Sequence, residues 1–360
     1  MDALIGLRRA RLAPAWVSQA GAAADPLSIA KIDVFPVRDP GSGRSWVVLR
    51  LEARNGLKGF GETERITPAE LAQARKILIG QPATRYEFLG QALGTMPRVR
   101  AAAEMALLDL MGKQAKAPVY QILAGPTRNK VRLLSALNSY SGLKAFTVSL
   151  PERSFPNPRA QFVKSVVAKL EKLRAESGEL VDFVLDCRGQ LTPAEAANVS
   201  AALEKFHPLW IDEPCPLSNT EAVRKITREN VTPIGWGREV ADAGVFQDLL
   251  REQAIDVLRP NLALHGPVSV RKLAALAETY YTAVAPWHNC GPIATLAGLQ
   301  LAASLPNFFL LEIPPPSPMY AEMLGGYWPT IKDGFAALPT APGLGAQVDE
   351  GSLSKFKGAA

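Results

Sequence analysis

From residue 131 onward, short apolar runs alternate with segments that have a helical hydrophobic period. The apolar runs are VRLLSAL, KAFTVSL, VDFVLD, PLWIDEP, TPIGWGRE, IDVLRPN, YTAVAPW and FFLLEI. Helical patterns occur between them at 157–176, 192–206, 218–229, 244–253, 268–280 and 294–304. Strands that alternate with helices pair in parallel, and eight runs fit a closed barrel better than an open sheet. We therefore predict an α/β fold of the (β/α) TIM-barrel type, in which chemistry takes place at the carboxyl ends of the strands.

The segment before the barrel has a different pattern. IAKIDVFPVR and SWVVLRLEA alternate in the manner of strands, and Asn55-Gly56 predicts a type I′ hairpin turn before the return strand LKGFGETE. Thr67 and Glu70 have the spacing of a capping box at the start of a helix, and a second helix is predicted at about 98–116. These elements predict an α+β domain on the amino-terminal side of the barrel.

The chain has 360 residues, which suits a barrel of roughly 200–250 residues with a smaller companion domain. We predict that the chain begins with a disordered leader, and we divide the remainder by its hydrophobic pattern. The predicted divisions are a leader at 1–26, a capping domain at 27–128, the barrel at 129–325 and a carboxyl-terminal segment at 326–360 that returns to the capping domain.

Composition narrows the classes of partner. The formal charge of +6 is modest and no basic stripe interleaves with aromatic residues, so nucleic-acid binding is not indicated. No apolar run approaches the roughly 18 residues that span a bilayer. Three cysteines favour a reducing, cytoplasmic compartment. The paired Arg8 and Arg9 near the amino terminus loosely match a twin-arginine export signal, and export therefore stays open as the alternative.

Charged residues end three of the predicted barrel strands at a constant spacing. Asp186 ends VDFVLD, Asp212 follows in LWIDEP after 26 residues, and after another 26 residues the same position holds Arg238. Because the carboxyl ends of parallel strands meet at one rim of the barrel, these three side chains should lie close together. Two carboxylates and one guanidinium therefore define the candidate site.

Several segments resemble one known family. AAAEMALLDLMGKQAKAPVYQILAG (101–125), GFGETE (59–64), the DEP that follows strand four, GPIATLAGLQLAASLPN (291–307) and DGFAALPTAPGLG (333–345) are similar to segments of the enolase superfamily, in its mandelate racemase and muconate-lactonizing branch. They occur in the family's order over nearly the whole chain. The resemblance implies a modified, enolase-like barrel with an amino-terminal capping domain, whose loops at about 38–45 and 62–68 close over the barrel mouth and select the substrate.

The resemblance also implies a Mg²⁺ ion held by three carboxylates, which stabilises the enediolate formed when a base removes an α-proton. Asp186 and Asp212 match the first two ligands. The third position is Arg238, and its neighbour Glu239 replaces the ligand only if a bulge resets the register. A guanidinium between two aspartates would instead supply the positive charge itself, and Arg188, where the family usually has Asn, adds to that charge.

The positions for proton transfer differ from the family pattern as well. Thr147 and Ser149 stand where many relatives have a Lys-x-Lys pair, and neither hydroxyl is a credible base near neutral pH. Asn261 stands in the place of an Asp that orients a catalytic His. An ungapped match puts Trp287 in the His place, with His288 one residue away. Glu312 matches a position that can act as an acid toward the substrate carboxylate. The alternatives are a loop histidine for His288 and a rim salt bridge for Glu312.

Two functional hypotheses follow. The first is a lyase or isomerase, an acid-sugar dehydratase or racemase that uses Mg²⁺ with Asp186, Asp212 and Glu239 as ligands and His288 as acid or base. The second is a non-catalytic relative that binds a small carboxylate or acts as a scaffold, with an Arg–Asp cluster in place of the metal. The resemblance implies a homo-oligomer in either case.

A soft-metal site built from Cys187, Cys215 and Cys290 is disfavoured because strands four and seven lie on nearly opposite sides of the barrel. Small buried thiols are the better interpretation.

Overall fold

The computed structural model describes residues 25–137, 139–153, 159–178, 181–217 and 220–358. The predicted leader at 1–26 therefore lies almost wholly outside the described residues. Within the described ranges, no helix combines the length and the hydropathy that a membrane crossing needs.

The amino-terminal unit is a three-stranded antiparallel sheet covered by helices. Its strands are β1 (Ile29–Arg38), β2 (Ser45–Ala53) and β3 (Lys58–Thr63), in the order β1-β2-β3. Its helices are α1 (Pro68–Leu78), α2 (Tyr86–Ala92), α3 (Pro97–Ala115) and the short α4 (Val119–Ile122), with a 3₁₀ turn at Ala83–Arg85. The capping box predicted for α1 is present, with Glu70 N donating to Thr67 Oγ1 at 3.2 Å.

The turn between β2 and β3 differs from the prediction. A type I′ turn requires positive φ at both central residues, but only Gly56 adopts one, at 83°, and Asn55 does not. Gly56 N donates to Ala53 O at 2.9 Å, and the Asn55 side chain accepts from Leu57 N at 3.1 Å. The type I′ prediction is therefore wrong, because the asparagine stabilises the loop through its side chain instead of a left-handed backbone.

Within the described ranges, eight parallel strands form the barrel. They are β4 (Lys130–Ala136), β5 (Ala145–Ser149), β6 (Asp182–Asp186), β7 (Trp210–Asp212), β8 (Ile234–Trp236), β9 (Val257–Leu258), β10 (Ala283–Val284) and β11 (Leu311–Glu312). Each strand from β4 to β10 pairs in parallel with the next, and β11 pairs in parallel with β4. Parallel bridges between Val284 and Phe308 and between Trp287 and Glu312 join β10 to the β11 segment and complete the ring.

Helices alternate with these strands, as the hydrophobic pattern predicted. They are α5 (Arg159–Ser177), α6 (Pro193–Leu203), α7 (Thr220–Glu229), α8 (Ala243–Arg251), α9 (Leu262–Glu278) and α10 (Pro292–Ala302). The largest difference is in α9, which was predicted to begin at residue 268. Its first turn is capped by Asn261 and joined to the remainder through a kink at Gly266, whose φ is 78°. Pro267 obscured that turn in the sequence because proline usually marks a helix start.

The carboxyl-terminal segment packs against both units. It contains α11 (Pro318–Met323), the hairpin β12 (Ile331–Lys332) and β13 (Phe335–Ala337), and α12 (Glu350–Lys355). Strand β13 pairs antiparallel with β4, and Lys357 forms a bridge with Val37 of β1. The chain thus returns to the amino-terminal sheet after the barrel.

Buried carboxylates join the amino-terminal unit to the barrel. Glu62 accepts hydrogen bonds from Trp46 Nε1 at 3.1 Å and from Ala294 N, in the first turn of α10, at 2.9 Å. Glu104 on α3 accepts from Val268 N at 3.0 Å, where α9 resumes after its kink. Each carboxylate satisfies backbone N–H groups that would otherwise lack a partner at a helix start, so the two units are held in one arrangement over the barrel mouth.

Candidate active site at the barrel mouth

A cavity of about 410 Å³ opens at the carboxyl ends of the barrel strands. Strands β4, β6 and β11 contribute their last residues, β5 contributes Thr147, and the loop before β2 contributes Arg44. Thr147, Asp186, Arg238, Glu239, His288 and Glu312 are among its lining residues. Most of the candidate residues therefore surround one space.

Arg238 lies between the two aspartates that end β6 and β7. The strand register pairs Asp186 directly with Asp212. Arg238 Nη2 donates to Asp186 Oδ1 at 2.6 Å, and its Nε lies 3.3 Å from Asp212 Oδ2, close enough for an ion pair although the angle does not give a hydrogen bond. All three side chains are buried. Burial opposes ionisation of Asp186, but the hydrogen bond and charge of Arg238, with a further contribution from Arg188, lower its pKa. The same aspartates raise the pKa of Arg238.

Both carboxylate oxygens of Asp212 accept hydrogen bonds from neighbouring side chains. Its Oδ1 accepts from Trp210 Nε1 at 3.0 Å and from Arg259 Nε at 3.1 Å, and its Oδ2 lies 3.3 Å from Arg259 Nη2. Gly235, on the next strand, leaves the necessary room, because a Cβ there would come within 2.9 Å of Asp212 Oδ1 and closer still to the Trp210 ring. The local sequence therefore builds a closed pocket of donors around this carboxylate.

Arg259 continues the chain of charges beneath the cavity. It is fully buried, donates to Ala285 O at 2.7 Å through Nη1, and binds Glu312 through Nη2. The Trp210 ring lies against it, with the guanidinium carbon 5.0 Å from the ring centroid. Asp186, Arg238, Asp212, Arg259 and Glu312 thus alternate in charge across the barrel from β6 to β11, and we refer to these five residues as the Arg–Asp cluster.

Glu213 fixes the position of Arg238. Glu213 Oε1 accepts from Arg238 N at 2.8 Å, and Oε2 is 3.4 Å from Arg238 Nη2. Burial, followed by the charge of Asp212, raises the pKa of Glu213. Glu213 and Arg188 both adopt left-handed backbone conformations, with φ of 45° and 49°. Such conformations are uncommon outside glycine and concentrate at binding and catalytic sites.

The residues at this position do not fit a Mg²⁺ ion. Mg²⁺ requires near-octahedral oxygen ligands at about 2.0–2.1 Å, but the oxygens of Asp186 and Asp212 are engaged by arginine donors. The Arg238 guanidinium occupies the space that a cation between them would need. In the described ranges, no group of three or more His, Cys, Asp or Glu side chains has an arrangement that could hold a metal. Two guanidinium groups supply the positive charge that balances these carboxylates.

Glu239, the alternative third ligand, lies exposed at the rim of the cavity. Partial burial and the nearby carboxylates of Glu64 and Glu213 raise its pKa. Arg238, one residue earlier, contacts both Asp186 and Asp212. Position 237 requires glycine, because its φ is 133° and a Cβ there would come within 2.5 Å of the Phe246 ring.

The histidine in the loop after β10 is buried next to the cavity. His288 is 1 % exposed, and Thr295 Oγ1 lies 3.2 Å from its Nε2. Its Nδ1 has no hydrogen-bond partner among the described residues. Burial, with a smaller contribution from the charge of Arg44, lowers its pKa to about 3. The imidazole is therefore neutral near pH 7. Trp287 stacks beside Arg238, whose guanidinium carbon lies 5.6 Å from the ring centroid.

Other predicted positions have structural partners. The Asn261 side chain caps α9 by accepting from Ala263 N at 2.9 Å, and its Nδ2 lies 3.5 Å from Glu64 Oε1. Burial raises the pKa of Glu312, against the opposing charge of Arg259. Thr147 lines the cavity, whereas Ser149 is exposed.

Both loops expected to cover the barrel mouth contact it. Arg44, in the loop at 38–45, donates to Asn289 O at 3.4 Å and to the Tyr320 hydroxyl. Thr63, at the start of the 62–68 loop, donates to Ala263 O at 2.7 Å. The three cysteines, by contrast, are free and buried. Burial raises the pKa of Cys215 to about 11, which makes it a neutral thiol.

Sequence reasoning missed three residues of the site. The first is Arg259, directly after β9, although an arginine inside the apolar run IDVLRPN indicates a buried ion pair. The second is Glu213, the middle residue of DEP, whose contact with Arg238 no sequence pattern indicates. Arg44 gave no signal, because its role depends on how the amino-terminal unit packs on the barrel.

Family models match most of the chain. Residues 135–352 match the model described as "Enolase C-terminal domain-like", and residues 38–124 match "Mandelate racemase / muconate lactonizing enzyme, N-terminal domain". Among curated relatives, a D-xylonate dehydratase of Haloferax volcanii is 26% identical over 84% of this chain and 83% of its own length. A D-galactonate dehydratase of Ralstonia nicotianae is 28% identical, over 85% of this chain and 89% of its own.

The same fold is found among solved structures. A mandelate racemase/muconate lactonizing enzyme from Sulfitobacter superposes with a TM-score of 0.82 at 24% identity, covering 92% of this chain and 96% of that one. At this identity the comparison establishes the barrel and the amino-terminal domain, and leaves the chemistry of the site to its residues.

Proposed function

Because the chain belongs to the mandelate racemase/muconate-lactonizing branch of the enolase superfamily, we propose that it binds a small carboxylate at the barrel mouth, using its own arginines where superfamily members generally use Mg²⁺. The observation that carries this proposal is the placement of Arg238, with Nη2 2.6 Å from Asp186 and Nε 3.3 Å from Asp212. A bound cation would have to displace a guanidinium that several carboxylates hold.

Arg188 is the residue best placed to receive the ligand. Its Nε donates to Asp186 Oδ2 at 3.1 Å, yet its side chain is 69% exposed over the cavity. The terminal nitrogens have no hydrogen-bond partner among the described residues, and a guanidinium fork matches a carboxylate with two parallel hydrogen bonds. Arg44 adds a second positive charge on the opposite, capping side.

The candidate bases are poorly suited to abstract a proton, which further supports binding without Mg²⁺-dependent catalysis. Thr147 has only a hydroxyl to offer, and the burial of His288 keeps its imidazole neutral and almost fully enclosed. A base must also reach its proton within hydrogen-bonding distance. Among the described residues, neither has a charged partner that would activate it, so we adopt the hypothesis of a non-catalytic relative that binds a small carboxylate.

The second candidate is a metal-dependent acid-sugar dehydratase, which the names of the curated relatives favour. In that case Glu239 and the two aspartates would have to rearrange around Mg²⁺ with Arg238 displaced. The two candidates differ in a measurable way, since a dehydratase would exchange the α-proton of D-galactonate or D-xylonate with D₂O only when Mg²⁺ is present.

Titration calorimetry in EDTA tests the proposed function. Acetate, butyrate, hexanoate and D-galactonate are titrated into the full chain, with and without Mg²⁺. We expect at least one carboxylate to bind, with unchanged affinity when Mg²⁺ replaces EDTA. Arg188→Gln should weaken it by roughly 10-fold or more, because a charge-assisted hydrogen bond contributes about 1.5–3 kcal/mol.

Arg251→Gln is the matched control, because Arg251 is a similarly exposed arginine on an outer helix, paired with Asp248. It should bind as wild type does. Absence of binding across the whole panel in EDTA, or binding only with Mg²⁺ present, would reject the proposed function in favour of the second candidate.

A further inference from the structure

A second cavity, of about 480 Å³, adjoins the first. Arg188, Glu213 and Glu239 line both cavities, so these three residues form the boundary between them. The second cavity lies outside the strand ring, between the segments that follow β6, β7 and β8 and the first turns of α8. The proposed carboxylate receptor, Arg188, therefore faces two spaces.

The walls of the second cavity are mainly apolar. They include Leu217, Trp236, Val240 and Val245, of which Trp236 is buried and the other three are half-buried. Cys215 adds a buried thiol. Small-molecule pockets of 300–1,000 Å³ are typically apolar with a few charged or polar groups that fix orientation, and this cavity has that composition.

Three of the four charged residues that line this space lie at its boundary with the first cavity. Arg188 and the two carboxylates mark the boundary with the first cavity, and Asp242 uses its side chain to cap α8 by accepting from Gly244 N at 2.8 Å. A hydroxylated chain inside this cavity would lose water without gaining hydrogen bonds from the apolar walls, which costs free energy. A hydrocarbon chain would gain by leaving water.

We propose that the ligand is an amphipathic monocarboxylate, with its carboxylate on Arg188 and its hydrocarbon chain in the second cavity. This inference rests on the proposed function and names the ligand class for the same site. Glu213 and Glu239 at the boundary disfavour a second acidic group on the ligand, because like charges repel at short range. Polyhydroxylated sugar acids are poor ligands, because the apolar walls offer their hydroxyl groups no hydrogen bonds.

Calorimetry with acetate, butyrate, hexanoate and octanoate, in EDTA and below the concentrations at which octanoate forms micelles, tests the inference. Affinity should rise roughly 4-fold for each methylene that enters the cavity. D-galactonate should bind more weakly than hexanoate.

Two tryptophan variants test where the hydrocarbon chain of the ligand lies. Ala241 lines the second cavity and is exposed, so Ala241→Trp can fill that space without disturbing the core. In this variant, affinity should depend much less on the length of the ligand's hydrocarbon chain. Ala243 is exposed at the start of α8 but does not line the cavity, so Ala243→Trp should retain the wild-type dependence.

The outcomes separate the two proposals. If carboxylates bind but affinity does not change with chain length, or if D-galactonate binds most tightly, this inference is overturned while the proposed function stands. If the dependence is present and survives Ala241→Trp, the second cavity is not the site of the chain, and the inference is overturned. If no carboxylate binds at all, both proposals are wrong.

Discussion

Arg238 Nη2 lies 2.6 Å from Asp186 Oδ1, at the rim of the barrel where β6 and β8 end on either side of β7. This contact joins a charge cluster that also contains Asp212, Arg259 and Glu312. The cluster accounts for why carboxylates can be buried here without a metal. Each negative group has a guanidinium partner, and the effective cost of burying a charge is low only when it is paired.

Removing one partner should therefore be costly. Arg238→Met keeps most of the side-chain volume but leaves Asp212 and Glu213 with less compensation, so we expect a loss of about 3–5 kcal/mol in the free energy of unfolding. Urea denaturation measures it. Arg251→Met, on the outer surface of α8, should change stability by less than about 0.5 kcal/mol. Equal small effects of both substitutions would mean that Arg238 does not balance the buried carboxylates.

His288 should stay neutral over the physiological range. Burial lowers its pKa to about 3, so its imidazole NMR signals should not shift between pH 8 and pH 4, whereas exposed His207 supplies the signal of a solvent-accessible ring. Since the folded-state pKa is below the unfolded value of about 6.5, the stability that His288 contributes is complete above pH 6.5 and falls as pH decreases. A midpoint near pH 6.5 for His288 would contradict this account.

The buried carboxylates of the amino-terminal unit predict a dependence of the opposite sign. Burial raises the pKa of Glu62 and of Glu104 to about 7. Their contribution is therefore complete below the unfolded value of about 4.5 and is lost as pH rises through 7. Between those limits, Glu62→Gln should reduce the loss of stability by about 1.4 kcal/mol per pH unit.

A control of opposite sign is available for this measurement. The hydrogen bond from Arg153 lowers the pKa of Glu195 to about 2. Glu195→Gln should consequently alter the stability profile only on the acid side, below about pH 4.5. Denaturation at a series of pH values compares the two variants, and an identical profile for Glu62→Gln and wild type would refute the raised pKa.

Glycine at position 61 permits the close packing of β3 on α3. A Cβ there would lie 1.9 Å from Ala102 O, a backbone atom that cannot rotate away. Gly61→Ala should therefore destabilise the fold by about 1–3 kcal/mol or more. Gly41→Ala is the control, because its Cβ would meet its nearest neighbour at 3.5 Å. Thermal unfolding of the two variants distinguishes them, and equal melting temperatures would show that α3 can move away from β3.

Much of the fold could be predicted because it depends on hydrophobic period. The alternation of apolar runs and helical patterns predicted the parallel barrel, and the Thr67 capping box marked the start of α1 correctly. Local rules failed where a side chain competes with the backbone. Asn55 used its side chain in the turn, and Gly266 introduced a kink that separated the first turn of α9 from the rest.

The site could be predicted only in part, for a geometric reason. The constant spacing of Asp186, Asp212 and Arg238 predicted that they would lie close together, since parallel strand ends share one rim. The contact of Arg259 with both Asp212 and Glu312 spans the barrel interior, and strand spacing carries no information about which inward side chains meet there. The catalytic, metal-binding and domain assignments made from the sequence remain predictions.

Titration of Mg²⁺ into the purified chain tests most directly whether Arg238 replaces the metal. We predict no saturable binding to wild type at millimolar Mg²⁺ and no change in melting temperature. Arg238→Glu, which restores a third carboxylate beside Asp186 and Asp212, should gain a melting temperature that rises with Mg²⁺. Binding of one Mg²⁺ per wild-type chain, abolished by Glu239→Gln, would contradict the account.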